Sequence, residues 1–131
     1  MPAPKTPRKD TASPPRPQLR WRMRVMCGEH IAIGPGKIEL LEAIQAHRSI
    51  TAAAKALGMS YRRAWLLVDE LNRSLKEPAV ETAAGGSGGG GAALTPMGER
   101  VLALYRDIEA SAEAACRDDI KRLLATVARE P

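Results

Sequence analysis

The chain has 131 residues, the length of one domain with tails, and 44% of them are hydrophobic, which is enough for a core. With two Trp, two Tyr and no Phe, that core must consist of aliphatic side chains and alanine, which favours closely packed helices over a β-sandwich. No apolar run is as long as a membrane helix, which needs about 18 residues, and no signal-peptide pattern begins the chain. We therefore expect a cytoplasmic protein without membrane contact.

The net charge of +5 is unevenly distributed along the chain. Residues 1–24 carry seven basic side chains against Asp10 alone, whereas the other 107 residues carry thirteen basic and fourteen acidic ones. Residues 1–17 are rich in proline and poor in apolar groups, and we expect them to form a disordered basic arm. Such an arm is able to neutralise phosphates, but it also occurs merely as a solvated tail.

A small β-ribbon is predicted after the arm. Apolar and basic residues alternate from Leu19 to Val25, the pattern of a half-buried strand, with Trp21 on its apolar face and Met26 on the face of the arginines. A turn over 27–30 and a partner strand over 30–33 follow. A two-stranded ribbon is only marginally stable alone, so it must lie on helices.

Three helices are predicted next. The first runs from about Pro35 to His47, with Ile38, Leu41 and Ile44 facing the core. The second runs over 52–57, with the Thr51 hydroxyl as its N-terminal cap and Gly58 in the left-handed turn after it. The third, capped by Ser60, runs from Tyr61 to about Leu75.

The third helix has two distinct faces. One stripe of Ala64, Leu67, Val68, Leu71 and Leu75 is apolar, with Tyr61 and Trp65 at its shoulder. Arg62, Leu66, Asp69 and Arg73 lie on the opposite face, with Arg63 beside them. A helix-turn-helix inserts the exposed N-terminal face of its second helix into the DNA major groove. An ordinary surface helix with two solvated arginines is the alternative, and the alanine-rich helix and glycine turn before it favour the recognition helix.

A glycine-rich hairpin follows. Residues 79–82 and 92–94 are predicted to pair around the tract 85–91, which holds six glycines and one serine. A phosphate-binding P-loop needs Lys-Ser or Lys-Thr after its last glycine, and Ala92-Ala93 stand there instead. The tract is therefore either an inert linker or, as we prefer, the tip of a wing whose N–H groups approach the phosphate backbone.

The last predicted helix is capped by Thr95, begins at Pro96 and continues to about Ala128, a length of about 50 Å. Its apolar stripe is too long for a small domain to cover. We expect a symmetric, antiparallel dimer through it, and the alternative is a hairpin that folds back on its own domain. The residues of the predicted dimer interface are Val101, Tyr105, Ile108, Ala112, Cys116, Ile120, Leu123 and Val127.

The order of these elements predicts a mainly α protein with a little β structure: a winged helix-turn-helix with an N-terminal β-ribbon and a long C-terminal dimerisation helix. The predicted regions are the arm over 1–17, the DNA-binding domain over 18–98 and the dimerisation helix over 99–131. The residues expected to contact double-stranded DNA are Thr51, Lys55, Ser60, Tyr61, Arg62, Arg63, Leu66, Arg73, Gly86, Ser87 and Gly88.

Residues 36–107 resemble the N-terminal DNA-binding domain of ModE, the bacterial molybdate-responsive transcriptional regulator, and more distantly the LysR type. The resemblance rests on Ser-Tyr-Arg-Arg-Ala-Trp at 60–65, Asp-Glu-Leu-Asn at 69–72, the glycine-rich 85–94 and Leu-Thr-Pro-Met-Gly at 94–98. It implies a homodimeric regulator of bacterial transcription. ModE proteins of full length continue into molybdate-binding domains, and since no such module follows the predicted helix, we expect a stand-alone DNA-binding half.

Other chemistry has little support in the sequence. Cys27 and Cys116 have no metal or disulfide spacing and are expected to be free thiols, and His30 and His47 lack a ligand set. We therefore expect neither an enzyme nor a cofactor or metal, and molybdate binding has no support beyond the family name. A protein-interaction module on a winged-helix scaffold, docking a partner regulator, is the alternative function.

Overall fold

The computed structural model describes residues 15–83 and 91–128. Its elements are β1 (Val25–Cys27), β2 (His30–Ile33), α1 (Pro35–His47), α2 (Ile50–Leu57), α3 (Tyr61–Ser74), β3 (Val80–Thr82), β4 (Ala92–Leu94), α4 (Pro96–Ala115) and α5 (Arg117–Leu124). By their contacts the described residues divide into two compact units, one over 21–83 and 91–111 and one that contains 15–20 and 112–128. The mainly helical winged-helix architecture predicted from the sequence is confirmed.

The larger unit is built around α1. Ile38, Leu41 and Ile44 are completely buried, as their spacing predicted, and α1 packs against α2, α3 and β4. Alanines at the α1–α2–α3 contacts, among them Ala53, let the helix backbones approach closely. Aliphatic and alanine side chains thus form most of the core, with Tyr105 of α4 its aromatic member.

The β-ribbon is shorter than predicted. β1 pairs antiparallel with β2 over Val25–Cys27 only, with an irregularity in the register between Val25 and Met26. Residues 15–24 have no regular structure, because the four-residue β2 offers them no strand to bond to. The predicted alternation persists without a ladder: Trp21 and Met23 are half-buried, whereas Arg22 and Arg24 are exposed.

The helix ends follow local chemistry. The Ser60 hydroxyl accepts the Arg63 N–H at 3.0 Å, and Gly58 has the predicted left-handed backbone with φ of 69°. The cap of α2 is Ser49 rather than Thr51, because α2 begins at Ile50, whose side chain is buried in the core, and the Ser49 hydroxyl accepts the Ala52 N–H at 3.0 Å.

The prediction of a single C-terminal helix is wrong. α4 ends at Ala115, Cys116 leaves the helical backbone with φ of −106° and ψ of 15°, and α5 begins at Arg117. Asp118 and Asp119 occupy the first turn of α5, where carboxylates favour a helix N-terminus, so the sequence there specifies a new start. Both cysteines are free thiols.

Tyr105 fixes α4 to its own unit. It is 6% exposed, and its hydroxyl donates to the Met23 carbonyl oxygen at 2.8 Å. Burial raises the pKa of Tyr105 above its ordinary value of 10.0. Next to it, Arg106 forms ion pairs with Glu42 of α1 at 2.6 Å and Glu109 at 2.7 Å, and hydrogen bonds to Glu42 raise the pKa of the guanidinium.

None of the helices within 15–83 and 91–128 is both long and apolar enough to cross a membrane.

The start of α4 leaves no room for a side chain at Gly98. A Cβ there would lie 2.1 Å from the Ala79 carbonyl oxygen. We expect Gly98→Ala to lower the free energy of unfolding by about 1–3 kcal/mol, since backbone must shift to relieve the contact. Urea denaturation measures this. Gly36→Ala is the matched control, because its Cβ would meet nothing within 4 Å. Equal stability of the two variants would contradict the close approach.

Candidate nucleic-acid interface

The first two turns of α3 are exposed on the side away from the core. Ala64, Val68 and Leu71 are buried against the other helices, which turns the opposite face outward. Arg62 and Arg63 stand in the first turn of that outer face, and both are exposed. Two adjacent guanidinium groups at the start of an exposed helix give donors of the kind that bind guanine edges or phosphates.

The predicted contact residues that the structure describes are all exposed. Thr51 and Lys55 lie on α2, Ser60 caps α3, and Leu66 is 52% exposed on its outer face. Arg73 is also exposed but forms an ion pair with Asp69 at 2.8 Å, which offsets part of its charge. Gly86, Ser87 and Gly88 lie outside the described residues.

Trp65 departs from its predicted place at the buried shoulder of α3. It is 37% exposed, and its ring meets Tyr61 edge-on at 6.2 Å between centroids. The reason is that this side of α3 faces the base of the β3–β4 hairpin instead of the core. Tyr61 and Trp65 there line a depression of about 200 Å³, together with Ser49, Ile50, Thr51, Thr82, Ala83, Gly91 and Ala92.

This depression joins the helix-turn-helix to the hairpin. It brings together Thr51 from α2, Tyr61 from α3 and Thr82 from β3, which are far apart in sequence. Val80 pairs with Leu94 and Thr82 with Ala92, which confirms the predicted hairpin. The described part of the hairpin therefore stands directly beside the N-terminal half of α3.

Basic side chains also adjoin α3 on its other flank. A depression of about 530 Å³ is lined by Arg22 and Arg24 before β1 and by Arg63 and Leu66 of α3. From the sequence, Arg22 and Arg24 were predicted to lie on the polar face of a strand, and no function was predicted for them. Their charges add to that of Arg63 on this side of the helix.

Two polar contacts hold the ribbon to α3. The Lys37 side chain is only 7% exposed, and its Nζ donates to the Ile31 carbonyl oxygen at 2.6 Å and lies 3.5 Å from Glu70 Oε1. A buried ammonium group needs such partners to offset its lost hydration. His30, the residue before Ile31 in β2, contacts the Ser74 hydroxyl through its Nε2 at 2.8 Å.

Asn72 holds the hairpin to α3, a role that the sequence did not reveal. Its Oδ1 accepts the N–H groups of Ala79 at 2.8 Å and Val80 at 3.1 Å, and its Nδ2 donates to the Val80 carbonyl oxygen at 3.1 Å. Thr95 closes the same corner, since its hydroxyl donates to the Pro78 carbonyl oxygen at 2.6 Å and accepts the Gly98 N–H at 3.0 Å. Thr95 therefore caps α4, as predicted.

Within 15–83 and 91–128, no group of three or more His, Cys, Asp or Glu side chains is placed to hold a metal ion.

Comparison with known proteins agrees with this geometry. Residues 36–99 match the family model described as bacterial regulatory helix-turn-helix protein, lysR family. These residues form a helix-turn-helix domain of the LysR type. The matched range begins in the first turn of α1 and ends in the first turn of α4, so it contains the exposed face of α3 and the hairpin.

Several known proteins are similar to this chain, and some of their names mention molybdenum. The chain is 43% identical over 84 residues to the molybdenum transport protein ModE of Azotobacter vinelandii, which is 64% of this chain and 31% of that protein. It is 47% identical over 78 residues to the molybdenum-pterin-binding protein MopB of Rhodobacter capsulatus, covering 60% and 29%. It is 39% identical over 102 residues to the DNA-binding transcriptional dual regulator ModE of Escherichia coli, covering 72% and 39%.

These matches confirm the resemblance to ModE that the sequence motifs indicated. The chain spans about a third of the length of these relatives.

Removing the Asn72 side chain should loosen the hairpin from α3. We expect Asn72→Ala to lower the free energy of unfolding by about 2 kcal/mol, because the N–H groups of Ala79 and Val80 lose their acceptor. Hydrogen exchange at those two amides should accelerate more than exchange within α1. Asn72→Asp keeps the acceptor oxygen and loses the donor. Its free energy of unfolding and its exchange rates at the two amides should therefore lie between those of the wild type and those of Asn72→Ala. Unchanged exchange at both amides in Asn72→Ala would contradict this role.

Proposed function

We propose that the protein is a bacterial DNA-binding transcriptional regulator of the ModE type, acting in the cytoplasm on molybdenum-related genes. The observation that carries the proposal is the outward face of α3, on which Arg62 and Arg63 stand exposed in the first turn while Ala64 and Val68 anchor the helix from behind. A helix held in this way presents its N-terminal side chains to the major groove. The match to the lysR-family helix-turn-helix supports the same role.

Arg62 and Arg63 make different contributions in this proposal. A guanidinium group that is bidentate to guanine discriminates between sequences by about 1–3 kcal/mol, whereas one on a phosphate binds all sequences alike. Arg63 adjoins Arg22 and Arg24, which suits the phosphate rim of the groove. Arg62 is then the base-reading residue, with Thr51, Lys55, Ser60, Tyr61 and Leu66 at the groove wall and Arg73 at its far end.

The hairpin is proposed to act as a wing. Its described base lies beside Tyr61 and Trp65, so a duplex with α3 in its major groove has its neighbouring backbone close to β3 and β4. The tip residues Gly86, Ser87 and Gly88 are proposed to meet that backbone through their N–H groups.

A homodimer is proposed through the C-terminal helices. Leu104 and Ile108 of α4 are 50% and 55% exposed and stand one helical turn apart, and Leu123 and Val127 are also exposed. Tyr105 belongs to the core of its own chain and Val101 is half-buried against that core, so neither is kept in the proposed interface. The proposed contact residues are Leu104, Ile108, Ala112, Cys116, Ile120, Leu123 and Val127.

The molybdenum role comes from the names of the relatives, which include a molybdenum transport protein and a molybdenum-pterin-binding protein. For this chain we propose DNA binding.

Selection of bound duplexes from a random pool tests the proposal. We expect a preferred sequence, and we expect Arg62→Ala to weaken binding to it by about 10- to 100-fold while losing preference at one base pair. Arg63→Ala should weaken binding to every duplex. It should also lower the slope of log Kd against log salt concentration by about one. Arg117→Ala is the matched control, because this exposed arginine stands outside the helix-turn-helix domain.

A dimer that binds no duplex more tightly than random DNA at moderate salt would contradict the proposal. That result, together with capture of a partner protein, would favour the protein-interaction module.

The dimer has its own test in light scattering of the purified protein. Ile108→Asp should convert a dimer to a monomer, because it puts a charge into the proposed apolar contact. Ala103→Asp adds the same charge at an exposed position of the opposite side of α4 and should leave the dimer intact. A wild-type monomer, or equal masses for the two variants, would contradict the interface.

A further inference from the structure

Arg48, between α1 and α2, has an unusual backbone. Its φ of 59° and ψ of 27° are left-handed, and it is the one non-glycine residue with positive φ within 15–83 and 91–128. Its N–H donates to the Ile44 carbonyl oxygen at 2.7 Å and closes the end of α1. Glycine is the usual residue at such a helix end, as Gly58 is after α2, because a Cβ disfavours this conformation.

The peptide of Arg48 is fixed to the hairpin. The Ala92 N–H donates to the Arg48 carbonyl oxygen at 3.0 Å, and a Cβ at Gly91 would lie 3.5 Å from that oxygen. This bond ties the end of α1 to the first residue of β4. Arg48 therefore stands at the junction of the helix-turn-helix and the hairpin, immediately before Ser49, the cap of α2.

The side chain of Arg48 has a different environment from its backbone. It is exposed, and neither a hydrogen bond nor an ion pair links its guanidinium group to the residues described in the structure. It lines a groove of about 470 Å³ along the hairpin, with Glu81 as the acidic residue of that groove. The Cβ of Arg48 therefore strains the backbone, and no hydrogen bond or ion pair of the guanidinium group to the described residues offsets that strain.

The groove of Arg48 is continuous with the surface proposed to meet DNA. Thr82, Ala83, Gly91 and Ala92 line both this groove and the depression that holds Thr51, Tyr61 and Trp65. A cation at this place extends the basic surface from α3 towards the hairpin. A duplex seated on α3 has a phosphate backbone along this side of its major groove.

We infer that Arg48 is a DNA phosphate-binding residue, which holds the backbone strand that passes between the helix-turn-helix and the hairpin. The inference rests on the proposed DNA-binding function. It assigns Arg48 an affinity role without sequence discrimination, since a phosphate contact is the same at every base pair. Glu81, across the groove, repels the same phosphate and weakens binding.

Arg48→Gly separates this role from a structural one, because glycine removes the guanidinium group and also relieves the backbone. The melting temperature of this variant should stay the same or rise. Its Kd for any duplex should increase about tenfold, and the slope of log Kd against log salt concentration should fall by about one. Arg48→Lys should keep most of the affinity and slope. Glu81→Gln should bind duplexes at least as tightly as the wild type.

Two results would overturn the inference while the proposed function stands. In the first, the wild type binds a selected duplex and Arg62→Ala weakens it, but Arg48→Gly retains the wild-type Kd and salt slope. In the second, Arg48→Gly and Glu81→Gln both lower the melting temperature by similar amounts, which would make the two side chains an internal pair. A wild type that binds no duplex would instead remove the proposed function itself.

Discussion

Burial of one face of α3 against α1 and α2 is the constraint on which the rest of the structure depends. Ala64 leaves no gap at the crossing, and Val68 and Leu71 fill the space beside the buried side chains of α1. Since a helix has fixed angles between its residues, burying this stripe determines where Arg62 and Arg63 point. The orientation of the face proposed to meet DNA is therefore a consequence of packing and needs no contact from the arginines themselves.

The same helix also organises the two β-hairpins. Lys37 and His30 tie the N-terminal ribbon to Glu70 and Ser74 of α3, and Asn72 ties the other hairpin to the adjacent turn. The C-terminal end of α3, over residues 70–74, thus holds both hairpins, while the first turns of the helix stay open. Stability and the proposed DNA recognition are separated along one helix, which lets side chains at its N-terminal end vary without disturbing the core.

Local signals made much of this predictable from the sequence. Gly58, Ser60, Thr95 and Pro96 have conformational preferences of their own, and the helix ends beside them were predicted to within one or two residues. What failed depends on partners distant in sequence. The length of β1 is set by the short β2, the exposure of Trp65 by the hairpin beside it, and the role of Asn72 by backbone groups that a sequence pattern cannot show. The break at Cys116 was missed because the apolar stripe continues through it, although Asp118 and Asp119 mark a new helix start.

The central claim is that the first turns of α3 meet DNA, and amide chemical-shift mapping during titration with a selected duplex tests it most directly. The account predicts that the largest shifts fall on residues 60–66, on Thr51 and on Arg48, with small changes in the buried stripe of α1. Shifts confined to α4 and α5, with 60–66 unmoved, would contradict it.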